Sequence, residues 1–190
     1  MPQRGDRLRL VVAASGASGA IYLQRLLDKL QPEEHEIHLV LSPHARQVIA
    51  EEIDELRIPA GILQHEDAGM NVPFVSGSAR FDAMVIVPCS MGTVGRIAHG
   101  TSESTILRAA DVFLKERRKL ILVPRETPWS LVHARNIVAV IEAGAIVLPA
   151  CPSFYSRPKS VEEAADTVVA RILDHLGIEN PSAYRWKSDP

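Results

Sequence analysis

Four apolar runs along this chain stop abruptly, and each hands over to a short polar stretch that opens a helix. Residues 8–14 lead into Ser15-Gly16-Ala17-Ser18-Gly19, and 37–41 into Ser42-Pro43. Residues 83–87 lead into Pro88-Cys89-Ser90-Met91-Gly92-Thr93, and 120–123 into Pro124-Arg125-Glu126-Thr127-Pro128. Short apolar runs alternating with helical patterns predict a parallel sheet. Its polar junctions then crowd at one edge, the carboxyl ends of the strands, where open α/β sheets bind ligands. The expected architecture is a three-layer α/β/α sandwich around a mostly parallel, Rossmann- or flavodoxin-like sheet.

The helices between these runs follow from periodicity and capping. Ile21, Leu23, Leu26, Leu27 and Leu30 form a stripe over 18–30. Ser42 with Pro43 signals a helix over 43–52. Further helices are expected over 90–98 and 102–115. Thr127 is expected to cap one that starts at Pro128 and stops before Gly144, with a last strand over 145–148. Ser160-Val161-Glu162-Glu163 reads as a capping box opening the final helix, which Gly177 ends. Residues 53–80, broken by Gly61, Gly69, Pro73 and Gly77, are expected to be loops with at most one short helix. The whole of 1–190 reads as one domain, with 178–190 a polar tail.

Bulk properties narrow the class. Apolar residues make up 46% and mean hydropathy is near zero, which is globular. A net charge of −2 argues against nucleic acid or an anionic membrane as principal partner. No signal peptide is read at the start, and no run approaches the ~20 residues of a membrane helix. Cys89 and Cys151 form no C-x-x-C and are expected to be buried thiols, consistent with a cytoplasmic location. The seven histidines lack metal-site spacing, so no metal is expected.

The junctions carry the candidate chemistry. A glycine loop between strand and helix suits an anion at a helix N-terminus. Position 14 is Ala, so the loop is not G-x-G-x-x-G, and no Gly-Lys-Ser/Thr of a Walker loop occurs. Ser42 stands where a nicotinamide ribose wants Asp or Glu. A mononucleotide such as FMN fits better than ATP or NAD; alternatively, Gly16 and Gly19 only permit a tight turn. Ser90 and Thr93 place two hydroxyls on one face of a helix start, as ligand contacts or as ordinary caps. Two prolines brace Arg125 and Glu126. Arg125 can grip phosphate in bidentate fashion, and Glu126 in a water-excluding site would keep a raised pKa and work as acid or base. The competing reading is a surface ion pair. Lys115 is the member of the run 115–119 that faces a ligand, if any does. Tyr155, after the last strand, is either a site residue or core filler.

Taken together, Ser15-Gly16-Ala17-Ser18-Gly19-Ala20, Ser90-Met91-Gly92-Thr93, Ala110-Asp111-Val112-Phe113-Leu114-Lys115-Glu116-Arg117-Arg118, Val123-Pro124-Arg125-Glu126-Thr127-Pro128 and Phe154-Tyr155-Ser156-Arg157-Pro158 resemble the flavin prenyltransferase (UbiX-type) family, in that family's order. The resemblance implies a metal-independent transfer of a dimethylallyl group from dimethylallyl phosphate to N5 and C6 of reduced FMN. The prenylated FMN would then serve a UbiD-type decarboxylase. It implies that Gly16, Ala17 and Ser18 line the flavin, that Ser42 and Ser90, Met91, Gly92 and Thr93 bind its ribityl phosphate, and that Arg125 touches flavin and substrate. Lys115, Tyr155 and Arg171 would meet the substrate phosphate, with Arg108 a further basic residue. Glu126 would carry the proton, Ser18 and an acid at Glu52 (or its neighbour Glu51) would assist, and Trp186 would offer its ring to the allyl cation. Arg171 would reach a neighbouring subunit's site in a dodecamer.

Two other readings remain at this stage. A flavin-dependent cysteine decarboxylase would suit His44, but Ser90-Met91-Gly92-Thr93 stands where that reaction wants Pro-x-Met-Asn. A non-catalytic FMN-binding accessory subunit would not need Lys115, Glu126 and Tyr155 together.

Overall fold

A computed structural model describes residues 7–186 of the chain. Six strands build one sheet: β1 Arg9–Ala14, β2 Glu36–Leu41, β3 Leu63–Glu66, β4 Ala83–Cys89, β5 Lys119–Pro124 and β6 Ile146–Val147. Their order is β3-β2-β1-β4-β5-β6 and every pairing is parallel. This Rossmann-type order reverses between β1 and β4, so the crevice for a ligand opens there. Helices α1 Ala20–Leu27, α2 Pro43–Glu52, α3 Met91–Ala98, α4 Thr105–Lys115, α5 Leu131–Glu142 and α6 Val161–Leu176 make the crossovers and the outer layers.

The apolar runs are continuous because both sheet faces are covered. Leu10, Val12 and Ala14 of β1 face one layer with Leu23, Leu26 and Leu27 of α1 and Val169, Ile172 and Leu173 of α6. Val11 and Ala13 face the other with Val94 of α3, Phe113 of α4 and Val140 of α5. The three-layer sandwich expected from the sequence is thus present.

Two elements differ from expectation. The stretch 53–80 contains the edge strand β3 and a 3-10 turn, Pro73–Val75. Strand β3 reads Leu-Gln-His-Glu and is mostly exposed, so it carries no apolar signature. It is held by pairing with β2 and by the side chain of His65. The last-but-one helix starts at Leu131 with Ser130 as its cap, not at Pro128 with Thr127. Ser130 completes a reciprocal pair with His133, whose Nδ1 accepts from the Ser130 N–H at 3.3 Å.

A polar chain crosses the β1–β2–β3 edge. Arg9 grips Glu36 at 2.7 and 3.0 Å, and Glu36 Oε1 meets His38 Nε2 at 2.9 Å. His38 Nδ1 then lies 2.8 Å from His65 Nε2, with the rings stacked. The Arg9 pair, and then His38, hold the Glu36 carboxyl down at about 2. Burial, and then the neighbouring His38, lower the pKa of His65. Unfolding therefore raises His65 affinity for protons, and stability falls as pH drops through the unfolded histidine value of about 6.5. Glu36 acts in a separate window: its contribution is present above the unfolded carboxylate value and is lost as pH falls to about 2. Urea midpoints taken at roughly pH 7.5 and pH 5.5 should drop for the wild type and change less for His65→Gln. Equal drops would show that His65 is not the sensor.

Candidate functional site

The site begins with two contacts that sew the strand ends together across the β1/β4 crevice. The Ser15 N–H donates to the Pro88 carbonyl at 3.1 Å, and Ser15 Oγ accepts from the Ser90 N–H at 2.8 Å. Ser15 is buried and was assigned no role in the sequence reading. Only folding shows that its hydroxyl meets a backbone 75 residues on. On the far side of the same loop, Arg125 Nε donates to the Ser18 carbonyl at 3.0 Å. The segments around Ser18, Ser90 and Arg125 therefore lie on one rim.

Four helices start on this rim, and their N-termini are not equivalent. Glu52 Oε2 accepts the N–H groups of Gly19 (2.8 Å) and Ala20 (2.7 Å), so a carboxylate already occupies the start of α1. Burial opposes the Glu52 charge, but bonds from the Ser18 side chain and from these two amides, with the nearby Arg125 charge, outweigh it and lower the carboxyl pKa. This corrects the expectation of an anion on the N-terminus of the glycine-loop helix. Glu52, and not its neighbour Glu51, makes these bonds to the loop. Asp67 does the same for α4, accepting the Ile106 N–H at 2.9 Å. The starts of α2 and α3 are capped by neutral hydroxyls instead, Ser42 Oγ to the Ala45 N–H and Ser90 Oγ to the Thr93 N–H. These two remain able to take a further anion.

Between them lies a cavity of about 260 Å³ lined by Ser15, Gly16, Ser42, His44, Ser90 and Thr93 among others. Ser90 Oγ and Thr93 Oγ1 are 3.0 Å apart, so the caps and the cavity hydroxyls are the same groups. Gly16 is required for close approach: a Cβ there would stand 2.5 Å from His44 Cβ. Arg96 and Asp67 also line this cavity and escaped the sequence reading, Asp67 because it lies in the irregular stretch after β3. Ala17 is buried beneath the loop, and Met91 packs into the second core layer. Met91 is thus a packing residue, and Gly92 is exposed in the first turn of α3.

A second cavity, of about 570 Å³, is lined by Tyr155, Arg171 and Trp186, with Cys151 and Asp174. Tyr155 is 69% exposed, which excludes core filler. Its ring meets Trp186 edge-on with centroids 4.9 Å apart. Cys151 is exposed, contrary to expectation, because it lies on the loop beyond β6; Cys89 is buried.

Three predicted residues stand differently from the picture of one water-free pocket. Glu126 is exposed, its Oε1 accepting the Thr127 N–H at 3.0 Å, so this chain alone does not supply the dry surroundings expected for it. Lys115 ends α4, which runs back from the carboxyl edge, and so lies at the opposite, amino edge of the sheet, paired with Glu116. It cannot face this chain's own crevice. Arg108 is paired with Asp111 at 2.8 Å on α4.

A Rossmann-order parallel sheet with a hydroxyl-lined cleft and two neutral-capped helix starts at its switch point defines an α/β protein with a cleft suited to an anionic ligand. The flavoprotein family profile matches residues 2–174. Flavin prenyltransferase UbiX of Thermoplasma acidophilum is 47% identical over 182 residues, 94% of this chain and 100% of that protein. A crystal structure of AnUbiX (PadA1) in complex with FMN and dimethylallyl pyrophosphate superposes with a TM-score of 0.90 at 40% identity, covering 97% of this chain and 100% of that one. A dodecameric FMN-dependent UbiX-like decarboxylase from Escherichia coli O157:H7 superposes at 0.88 and 38% identity, covering 95% and 100%. The chain belongs to the flavin prenyltransferase UbiX family.

Proposed function

We propose that this chain transfers a dimethylallyl group from dimethylallyl phosphate to N5 and C6 of reduced FMN. The observation that carries the reading is the single rim on which Ser15 is bonded to Ser90 and Arg125 to Ser18, beside a cleft whose two helix starts lack acidic caps. The donor set fits FMN: neutral hydroxyls and free amides suit a phosphate monoester, and the Gly16 approach leaves backbone against which a flat ring can lie. The solved relative holding FMN and a prenyl pyrophosphate supports both ligands. When bound, reduced FMN supplies the nucleophilic ring atoms.

This chain's residues do the rest. The Ser42, Ser90 and Thr93 hydroxyls, with the amides of the first turn of α3 at Met91 and Gly92, hold the ribityl phosphate. Gly16, Ala17 and Ser18 line the flavin. Glu52 fixes that loop, and Arg125, tethered by Nε, turns its remaining nitrogens toward anions. Glu126 carries the proton on its carboxylate. Tyr155 and Arg171, which share a cavity within one chain and so need no neighbouring copy to meet, bind the prenyl phosphate. Arg108 lies on α4 away from that cavity and would add its charge only from a neighbouring copy. Trp186 offers a π face to the electron-poor allyl group.

Lys115 reaches a phosphate only in the site of a neighbouring copy. Leu131, Val132, Val138 and Ile141 of α5 are exposed, an apolar face suited to burial between copies, and the dodecameric relative supports that assembly. Such packing would also remove water from Glu126. We read the chain as one flavoprotein-type domain with a tail from 178, acting in the cytoplasm. Among the described residues no helix is long and apolar enough to cross a membrane. We further propose that a UbiD-type decarboxylase uses the product.

The test is anaerobic. Protein, reduced FMN and dimethylallyl phosphate are mixed, and the flavin is weighed by mass spectrometry. The expected product is heavier by one dimethylallyl group in place of hydrogen. An unchanged flavin with both the phosphate and the diphosphate donor would overturn the reading.

A further inference from the structure

The 570 Å³ cavity is bounded on one side by the chain's own tail. The tail leaves α6 at Gly177, whose left-handed conformation (φ 83°) turns the backbone away from the helix. Buried Ile178 anchors the turn. Eight residues after Gly177, the tail is gripped again. Both terminal nitrogens of Arg185 meet the two oxygens of Asp174 at 2.7 Å, a two-pronged carboxylate–guanidinium pair. The same Asp174 Oδ2 accepts from Arg171 Nη1 at 2.6 Å. The Asp174 side chain is 18% exposed, more enclosed than either arginine. The residue after Arg185 is Trp186, whose ring stands against Tyr155 across the cavity.

We propose that Asp174 is a positioning residue for the prenyl-donor site: its single carboxylate clasps the tail through Arg185, so that Trp186 is held against Tyr155, and at the same time orients the Arg171 guanidinium on the cavity wall. The proposal rests on the reading of this cavity as the donor site. Two guanidiniums share one carboxylate, so the cluster keeps a net positive charge toward an incoming phosphate. A planar fork met by both carboxylate oxygens fixes direction as well as distance, which one point charge does not. Arg185 can therefore set where the adjacent ring stands. Arg171 lies one helical turn before Asp174, so its guanidinium is held along the helix face that lines the cavity. The other two acids on that wall are engaged elsewhere, Asp166 by Arg25 at 2.7 Å and Lys29 at 3.3 Å, and Glu163 by the Lys159 N–H at 2.7 Å. Asp174 is thus the acid that joins the tail to the cavity.

The test uses full-length wild type, Asp174→Asn, Asp174→Glu and Arg185→Gln. Deuterium uptake of peptides spanning 178–186 is measured without ligands, and KM for dimethylallyl phosphate and for FMN is measured with them. Asp174→Asn is expected to expose the tail to rapid exchange and to raise KM for the prenyl donor about ten-fold, with KM for FMN and the melting temperature unchanged. Asp174→Glu should restore part of both effects. Arg185→Gln should release the tail with a smaller rise in KM, because Arg171 keeps its partner. Wild-type exchange in Asp174→Asn, or a released tail with an unaltered KM for the donor, overturns the clasp. A wild-type protein that never adds mass to the flavin instead fails the proposed function, whatever the tail does.

Discussion

Glu126→Gln is expected to slow flavin prenylation by roughly two to four orders of magnitude while FMN binds as before, the range seen when a positioned proton carrier is removed. The amide has the shape of the carboxylate, and its Oε1 can still accept the Thr127 N–H that Glu126 accepts at 3.0 Å. The backbone after β5 should therefore hold, and so should Arg125, whose anchor is the Ser18 carbonyl. What the amide cannot do is take up and return a proton. The rate of mass gain under single-turnover conditions reports the loss, and quenching of flavin fluorescence reports binding. Full turnover in the variant would make Glu126 a bystander and favour a proton route through the leaving phosphate alone. Loss of FMN binding would make its role structural. A non-catalytic flavin carrier predicts neither change, so the same variant separates enzyme from accessory subunit.

The second large effect is expected at Gly16, where the limit is space. A Cβ at this position would lie 2.5 Å from His44 Cβ and 3.6 Å from the His44 carbonyl carbon. Neither neighbour is the free end of a flexible side chain, so Gly16→Ala must push the loop away from α2. Such overpacking costs about 1–3 kcal/mol. The displaced loop carries Ser15, whose hydroxyl takes the Ser90 N–H at 2.8 Å across the crevice. The variant should thus lose FMN affinity by at least about ten-fold, the equivalent of roughly 1.4 kcal/mol. Calorimetric titration with FMN, beside a melting curve, separates the two losses. Wild-type affinity would mean that the loop can yield without disturbing the cleft. His44→Ala would keep the clashing Cβ, whereas His44→Gly removes it, so Gly16→Ala combined with His44→Gly is expected to lose less stability than the two single changes added together. Non-additivity of this kind is the signature of residues in contact.

The legible parts of the sequence share a physical cause. Strands β1, β2, β4 and β5 are buried on both faces, so each reads as an unbroken apolar run that nothing else explains as well. Ser42, Ser90 and Ser160 announce their helices because an N-cap is a local contact within four residues, and a local contact is visible in local sequence. The apolar stripe of α6 and its stop at Gly177 were equally plain. The five motifs placed the chain among the flavin prenyltransferases for a related reason, since each is a short segment whose residues lie close together in sequence.

What escaped the sequence was set by partners far along the chain. Strand β3 has no apolar signature; it is a strand because β2 offers an edge and His38 offers a partner for His65. The start of α1 has a vacant-looking glycine loop, but Glu52 arrives from the end of α2 and occupies it. Met91 sits in a motif that reads as ligand-facing in sequence yet turns into the core. Lys115 carries the right charge at the wrong edge of its own sheet, so its use depends on how copies pack. By itself, then, the sequence determined the four buried strands, the starts of α2, α3 and α6, and the family, because those rest on periodicity, burial and contacts between near neighbours. Only the tertiary structure decided which helix starts stay open to an anion and which side chains share a cavity, because both depend on groups that meet after dozens of intervening residues have folded away.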